Sequence, residues 1–450
     1  MTCTTGPDIH ATNASRAWSH PPVPTRPSFL QQFVPPTPLA GKLSVQSVLF
    51  AVGDGAFITA SAAFFLVVVG LSPAQVGIGI TVAGVASFLV AVPAGKLADR
   101  IGPQRLWAIG AVGTAATYAT WPWIDGFVAF LVVSVVLEVV NSTGGAARGA
   151  YVLDVLPRAE RIGSQAYMYA ATNLGFTVGA GLSFVALAFE GDTLLTGLPL
   201  LTAALSLVNG YWITRLPKAP HKERPSPLET AITAAVDETE APRAVPGALR
   251  NPGYLLTSFF SGVLMTNQVL LHTVIPLWLL SETDAPRVLL AALFATNTLM
   301  CIVLPMAVAR TVTGLPTALR AARVSSAFFV LACIITMVTR DTLGWQTIAL
   351  MWAGHIVVTF AELFLSAASW AFESELSDPD RRGEYQGAGN LGGTLGFVWA
   401  PAAYTWLALS WGTEGWLVIA AIILVAAVAI HPSARMAQRF LERHELDPAR

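Results

Sequence analysis

The sequence predicts an all-α membrane protein of about twelve transmembrane helices, arranged as two pseudo-symmetric six-helix bundles. Three observations carry that expectation. Charged residues make up 12% of the 450 residues, about half of the roughly 25% usual in soluble domains. The apolar set reaches 54% without glycine, and mean hydropathy is +0.60. Those apolar residues also fall in runs of the length that a helix needs to cross hydrocarbon, roughly 20 residues. The runs lack the period-2 alternation of barrel strands.

In chain order the runs cover 45–70, 74–95, 106–124, 127–147, 164–188 and 194–214 in the first half. The second half holds 254–281, 288–309, 324–339, 345–371, 386–409 and 415–430. The ninth and last are short; Arg323 and the residues after Ile430 are expected to lengthen them by snorkelling. Residues 1–44 are rich in Pro, Ser and Thr, lack the apolar core of a cleavable signal, and are expected to form a disordered tail. The stretch 215–252 carries Pro217, Pro220, Pro225, Pro227, Pro242 and Pro246 with charges of both signs. It is expected to link a bundle at 45–214 to one at 253–432, with a short surface helix over 228–240. Residues 433–450 form a second tail.

Basic residues orient the chain. With residue 1 in the cytoplasm, all 26 Lys and Arg fall on the cytoplasmic side except Arg287 and Arg340. That distribution implies a plasma-membrane protein with both termini cytoplasmic. Trp121, Trp123, Trp345, Trp411 and Trp416 lie near the expected outer ends, where interfacial indoles belong.

Composition excludes other classes. The apolar content is too high for disorder. A net charge of −1 gives nothing to neutralise phosphate, so no nucleic-acid partner is expected. Three cysteines make no disulfide scaffold. No phosphate loop, H-E-x-x-H, G-x-S-x-G or Cys/His metal spacing is present. Neither an enzyme nor ATP-driven transport is expected, and no cofactor is implied.

Two short features echo each other. Arg158-Ala159-Glu160-Arg161 precedes Gly163, and Asp378-Pro379-Asp380-Arg381-Arg382 precedes Gly383. Each opens a helix containing Asn-Leu-Gly, at Asn173 and Asn390. Repeated bundles around a central site are a transporter architecture.

The loop after the second run reads Gly95-Lys96-Leu97-Ala98-Asp99-Arg100-Ile101-Gly102-Pro103-Gln104-Arg105. It resembles the G-x-L-A-D-R-x-G-R-[RK] signature of the major facilitator superfamily, in the loop where that family carries it. Pro103 stands where a basic residue is usual. Gly95 permits close helix approach, and Gly102 permits a tight turn. Asp99 is placed to meet the N-terminal dipole of a helix from the other half. The resemblance implies that this is the eleventh helix, starting near Gly383. Arg100 and Arg105 are expected to pair with Asp154. Such contacts would lock the cytoplasmic side closed; the alternative is a loop that only sets topology. The matching loop of the second half, Arg310 to Arg320, has no acid, so a one-sided lock is expected.

No Lys or Arg lies deep in a run, but Asp54, Glu138 and Glu362 do. A charge near the bilayer centre costs several kcal/mol unless protonated, paired or wet. Protonation is the simplest resolution, and such a carboxyl can carry a proton or bind a cationic substrate. The alternative for each is a structural acid bonded to a neighbouring carbonyl. Asp54 lies near the midplane, and Gly53 and Gly55 are expected to leave room beside it. The resemblance puts Asp54 and Glu138, on the first and fourth helices, at the cavity. His355 and Glu362 share a helical face and could relay protons. Asn267, Gln268 and His272 are expected on the opposite wall. Cys301 and Cys333 read as core residues.

The fifth helix keeps the G-x-x-x-G of the exporter branch at Gly175 and Gly179, but has Ala180 in place of its proline. The last pair of glycines is also absent. With its buried acids and an apolar cavity, the chain resembles drug and natural-product efflux proteins, and that resemblance implies proton-coupled efflux of small hydrophobic or cationic compounds. A proton-coupled nutrient importer and a non-transporting receptor or scaffold are the alternatives. The expected partners are a small-molecule substrate, protons and the lipid bilayer, with the chain acting as a monomer.

Overall fold

A computed structural model describes residues 34–188, 192–218 and 246–444. The helices of the first half are α1 (Pro38–Ala63), α2 (Pro73–Ile101), α3 (Pro103–Thr120), α4 (Gly126–Val155), α5 (Arg158–Ala188) and α6 (Asp192–Thr214). Those of the second half are α7 (Pro252–Glu282), α8 (Leu289–Val303), α9 (Leu315–Val338), α10 (Trp345–Glu375), α11 (Arg382–Trp411) and α12 (Thr413–Arg443). No strand occurs among the described residues. Nine of these helices are long and apolar enough to cross a membrane. The other three are α3, α8 and α11, which are shorter or more polar.

Local chemistry sets many of the ends. Thr37 caps α1 by accepting from Ala40 N at 3.1 Å, with Pro38 at the first helical position. Ser72 and Gln75 form a reciprocal capping box at α2. Gly102, at φ 99°, ends α2 and opens α3, a backbone conformation that L side chains resist. Within α7 a π-turn at Leu270–Val274 precedes Pro276. Proline supplies no N–H to the turn before it, and the widened turn absorbs that break. Pro305 interrupts α8, which resumes as Pro305–Ala309.

The two halves repeat one packing scheme. In the first, α1 packs on α5 and α6, α2 on α4, and α3 on α4 and α6; in the second, α7 packs on α11 and α12, α8 on α10, and α9 on α10 and α12. Shifting each helix number by six converts one set into the other. The halves meet through α2 and α4 against α11, and through α5 against α8 and α10. A Cβ on Gly175 or Gly179 would collide with the α1 backbone at Val48 or Val52, so the G-x-x-x-G of α5 permits the α1–α5 contact.

Several sequence expectations need correction. The helix α1 starts within the supposed tail, at Pro38, and α12 runs to Arg443. The short ninth and twelfth runs are parts of 24- and 31-residue helices, because helices outrun the apolar stretch that hydropathy detects. Trp121 and Trp416 are buried, at 1% and 0% exposure. Trp121 packs on Phe57 and Phe65, and Trp416 on Trp278. Trp123 and Trp345 are exposed as expected. The expected surface helix at 228–240, most of the first tail and the end of the second lie outside the described residues.

Candidate functional site

A cavity of about 880 Å³ lies between the halves, lined from α2, α4, α5, α7, α10 and α11. Hydroxyl and amide groups punctuate a largely apolar wall, among them Ser87, Asn141, Ser142, Ser258, Ser261 and Asn390. Tyr169, Tyr254 and Trp370 add aromatic faces. Its ionisable carboxyls are Glu138, Glu362 and Glu373, and no Lys, Arg or His lines it among the described residues.

Glu362, from α10, is held between the halves. Tyr169 of α5 donates a short hydrogen bond to Oε1. Asn297 of α8 donates to Oε2 at 3.0 Å and to Thr359 Oγ1 at 3.1 Å. Cys301 and Cys333 both sit in the core, as expected; Cys301 also touches the site, with its Sγ 3.7 Å from the Tyr169 hydroxyl. The carboxyl of Glu362 is thus shared by three helices from both halves.

Glu373 escaped the sequence reading because the tenth run ends at 371, while α10 continues to Glu375. Gln386 Nε2 lies 3.4 Å from Glu373 Oε2. Arg148 of α4 interacts electrostatically with Glu373 across the halves. Its guanidinium also donates to Ser47 Oγ at 3.1 Å and Gln46 Oε1 at 3.5 Å. Arg148 is therefore a cation inside the first bundle, not a marker of its end.

The remaining expected site residues divide. Glu138 lines the cavity. Asp54 does not, but its carboxyl interacts electrostatically with Glu138. Gly53 and Gly55 do not leave room beside it: they face Thr202 of α6 and Phe176 of α5, and serve helix packing. Asn267 lines the cavity, and its Nδ2 has no hydrogen-bond partner among the described residues. His272 lies outside the lining, bonded to Gln268 Oε1 at 3.2 Å, while Gln268 reaches the wall. His355 is 4% exposed, with the Leu293 backbone acting on its ring. The structure does not join His355 to Glu362 by a hydrogen bond; Asn297 and Tyr169 occupy that carboxylate instead.

One end of the cavity is sealed by charge and close backbone contact. Asp99 Oδ1 accepts from Gly383 N at 2.7 Å and Oδ2 from Glu384 N at 2.9 Å, so it caps α11 from the other half. A Cβ on Gly95 would collide with the Gly383 carbonyl, and one on Gly383 with the Gly95 carbonyl. Asp154 pairs with Arg382 Nη1 at 2.7 Å, where Arg100 and Arg105 were expected. Arg382 sits at the start of α11, directly across the junction, whereas Arg100 faces a separate recess. The seal is also two-sided. Arg158 Nε donates to Glu375 Oε1 at 2.8 Å and Arg161 Nη1 to Ser374 Oγ at 3.1 Å. The second acid comes from the end of α10 rather than from the 310–320 loop.

The family profile described as Major Facilitator Superfamily matches residues 43–401. A search of curated protein sequences found no match. Solved structures with the same fold include the human organic anion transporter MFSD10 (TETRAN), at 16% identity and TM-score 0.61, covering 90% of this chain and 100% of that one. A proton:xylose symporter, XylE, matches at 11% identity and TM-score 0.63, covering 87% and 94%. A bacterial homologue of the iron transporter ferroportin, in an outward-facing state, matches at 13% identity and TM-score 0.64, covering 90% and 100%.

Proposed function

The chain belongs to the major facilitator superfamily of membrane transporters, and from that premise we propose that it exchanges protons for small cationic compounds and so exports them. One observation carries this reading: the cavity holds Glu138, Glu362 and Glu373 and is lined by no basic residue among those described. Carboxylates in a space of low polarity favour a cation or a proton over an anion or a neutral solute. Tyr169, Tyr254 and Trp370 offer ring faces that attract cations further.

The direction follows from competition. A carboxyl that holds a proton cannot also pair with a cation, so the two ligands exclude each other. Mutual exclusion gives exchange, and an inward proton gradient then drives the cation out. Asp54, coupled electrostatically to Glu138, is the second member of the proton site in this reading. In this reading the sealed end, flanked by basic residues, faces the cytoplasmic side of the plasma membrane with both termini, and the chain acts as a monomer.

Proteoliposomes loaded with an organic cation such as tetraphenylphosphonium test it. Imposing a proton gradient should drive cation movement against the proton flux, and a cation gradient should drive protons. Cation and proton moving in the same direction would replace export by symport. No coupled flux of any cation would remove the cation reading.

A further inference from the structure

Beside the seal, and separate from the central cavity, lies a recess of about 360 Å³ lined by Lys96, Arg100, Gly247, Leu249, Arg250, Arg381 and Glu384. Its volume is at the low end of ordinary ligand sites. Lys96 and Arg100 come from α2, Arg250 from the 3-10 turn Ala248–Arg250 before α7, and Arg381 from the residue that precedes α11. The recess is therefore built from both halves.

The charges do not balance. Four cations line the recess with one acid, which is already engaged; outside the lining, Asp378 Oδ2 lies 3.9 Å from Arg381 Nε, which leaves Arg100 and Arg250 in excess. Glu384 is 4% exposed. Its Oε1 accepts from Ala248 N at 3.1 Å and lies 3.7 Å from Lys96 Nζ, and its Oε2 lies 3.6 Å from Arg381 Nη1. Arg100 and Arg250 have no acidic partner among the described residues. Cations contributed by two bodies repel one another when those bodies close, unless an anion sits between them.

We propose that this recess binds the phosphate headgroup of an anionic membrane lipid, which clamps the sealed end shut. The phosphate supplies the missing negative charge, and arginine forks match its oxygens. The surroundings favour a lipid over free phosphate. Leu249, which lines the recess, is 50% exposed. It offers apolar surface to an acyl chain beside the charged groups. The recess also lies where α2 ends and where α7 and α11 begin, and basic pockets between membrane helices suit anionic headgroups. Because Lys96 and Arg100 belong to one half and Arg250 and Arg381 border the other, the bound headgroup favours the closed arrangement of this end. Lipid occupancy is read directly, so its test stands or falls apart from the choice of transported substrate.

Native mass spectrometry of the full chain, titrated with dioleoylphosphatidylglycerol and with dioleoylphosphatidylcholine, tests the site. The wild type should retain phosphatidylglycerol preferentially. Each cation near an anionic headgroup is worth roughly fivefold in affinity, so the Arg100→Gln/Arg250→Gln double variant should bind it about twenty-fold more weakly. Its melting temperature in phosphatidylcholine alone should equal that of the wild type, which separates lost binding from misfolding. Arg320→Gln, on a different face, should change nothing. Equal retention of both lipids, or equal binding by the wild type and the double variant, would overturn the proposal. Inorganic phosphate competing at the same concentration as the lipid would assign the site to free phosphate and overturn the lipid reading.

Discussion

At the residue scale, the proposed exchange depends on carboxyls whose partners differ. Glu362 is held by Tyr169 and Asn297 from opposite halves. Glu362→Gln keeps a group that can accept and donate there but cannot ionise. Proton-driven cation uptake by everted vesicles should fall to background in this variant, while the purified protein keeps its melting profile. Glu138 lines the cavity with less support from bonds, so it is the better candidate for direct cation contact. Glu138→Gln should weaken organic-cation binding about tenfold or more, in line with the ~1.5–3 kcal/mol of a charged hydrogen bond, as measured by calorimetry; unchanged affinity would make Glu138 structural. Asp54→Asn should abolish proton coupling while leaving cation binding measurable, because Asp54 stands behind Glu138 rather than in the cavity lining. The candidates Asp54, Glu138 and Glu362 were legible in the sequence, since an acid inside an apolar run is costly wherever it points. Glu373 was not, because it falls beyond the apolar stretch of its helix. The expected His355–Glu362 relay failed for another reason: a shared helical face does not reveal which side chains from neighbouring helices reach the carboxyl first.

At the element scale the α2–α3 loop and the start of α11 form the working joint. The Asp99 cap on α11 was legible through the loop's resemblance to the superfamily signature, which implied the eleventh helix as the partner; by charge alone, Asp99 suited only some helix N-terminus. The Asp154–Arg382 pair was not, since nothing in the sequence says which of several arginines lies across the junction. Losing a carboxylate at a partly buried helix terminus costs up to ~2 kcal/mol, more than a tenfold shift in a two-state balance. In Asp99→Asn, a cysteine replacing Ser369 should therefore label faster from the sealed side, after Cys3, Cys301 and Cys333 are replaced. Gly95→Val should act more strongly, because its Cβ meets the Gly383 carbonyl and the helices cannot close. Equal labelling rates in both variants and the parent would reduce this joint to a topology signal. Arg382→Asp should likewise open the sealed end, and adding Asp154→Arg should restore closure in part, which the same labelling reads.

At the scale of the whole molecule, the six-plus-six architecture was legible because hydrophobic length and basic-residue placement are imposed by the bilayer itself. The shared packing scheme of the halves was only faintly visible, in the echo of Arg158–Gly163 with Asp378–Gly383. In the structure those echoed segments are the starts of α5 and α11, and each supplies an arginine to an acid of the opposite half. Alternating access then means breaking both of these contacts as the halves rock about the carboxyl-lined cavity. Cation–proton exchange is the central proposal, and simultaneous flux measurement in proteoliposomes tests it most directly. With an organic cation inside and a pH-sensitive dye reporting protons, cation efflux down its own gradient should drive proton uptake, and Glu362→Gln should abolish that uptake. Cation efflux with no proton movement, or proton movement unaffected in Glu362→Gln, would contradict the account.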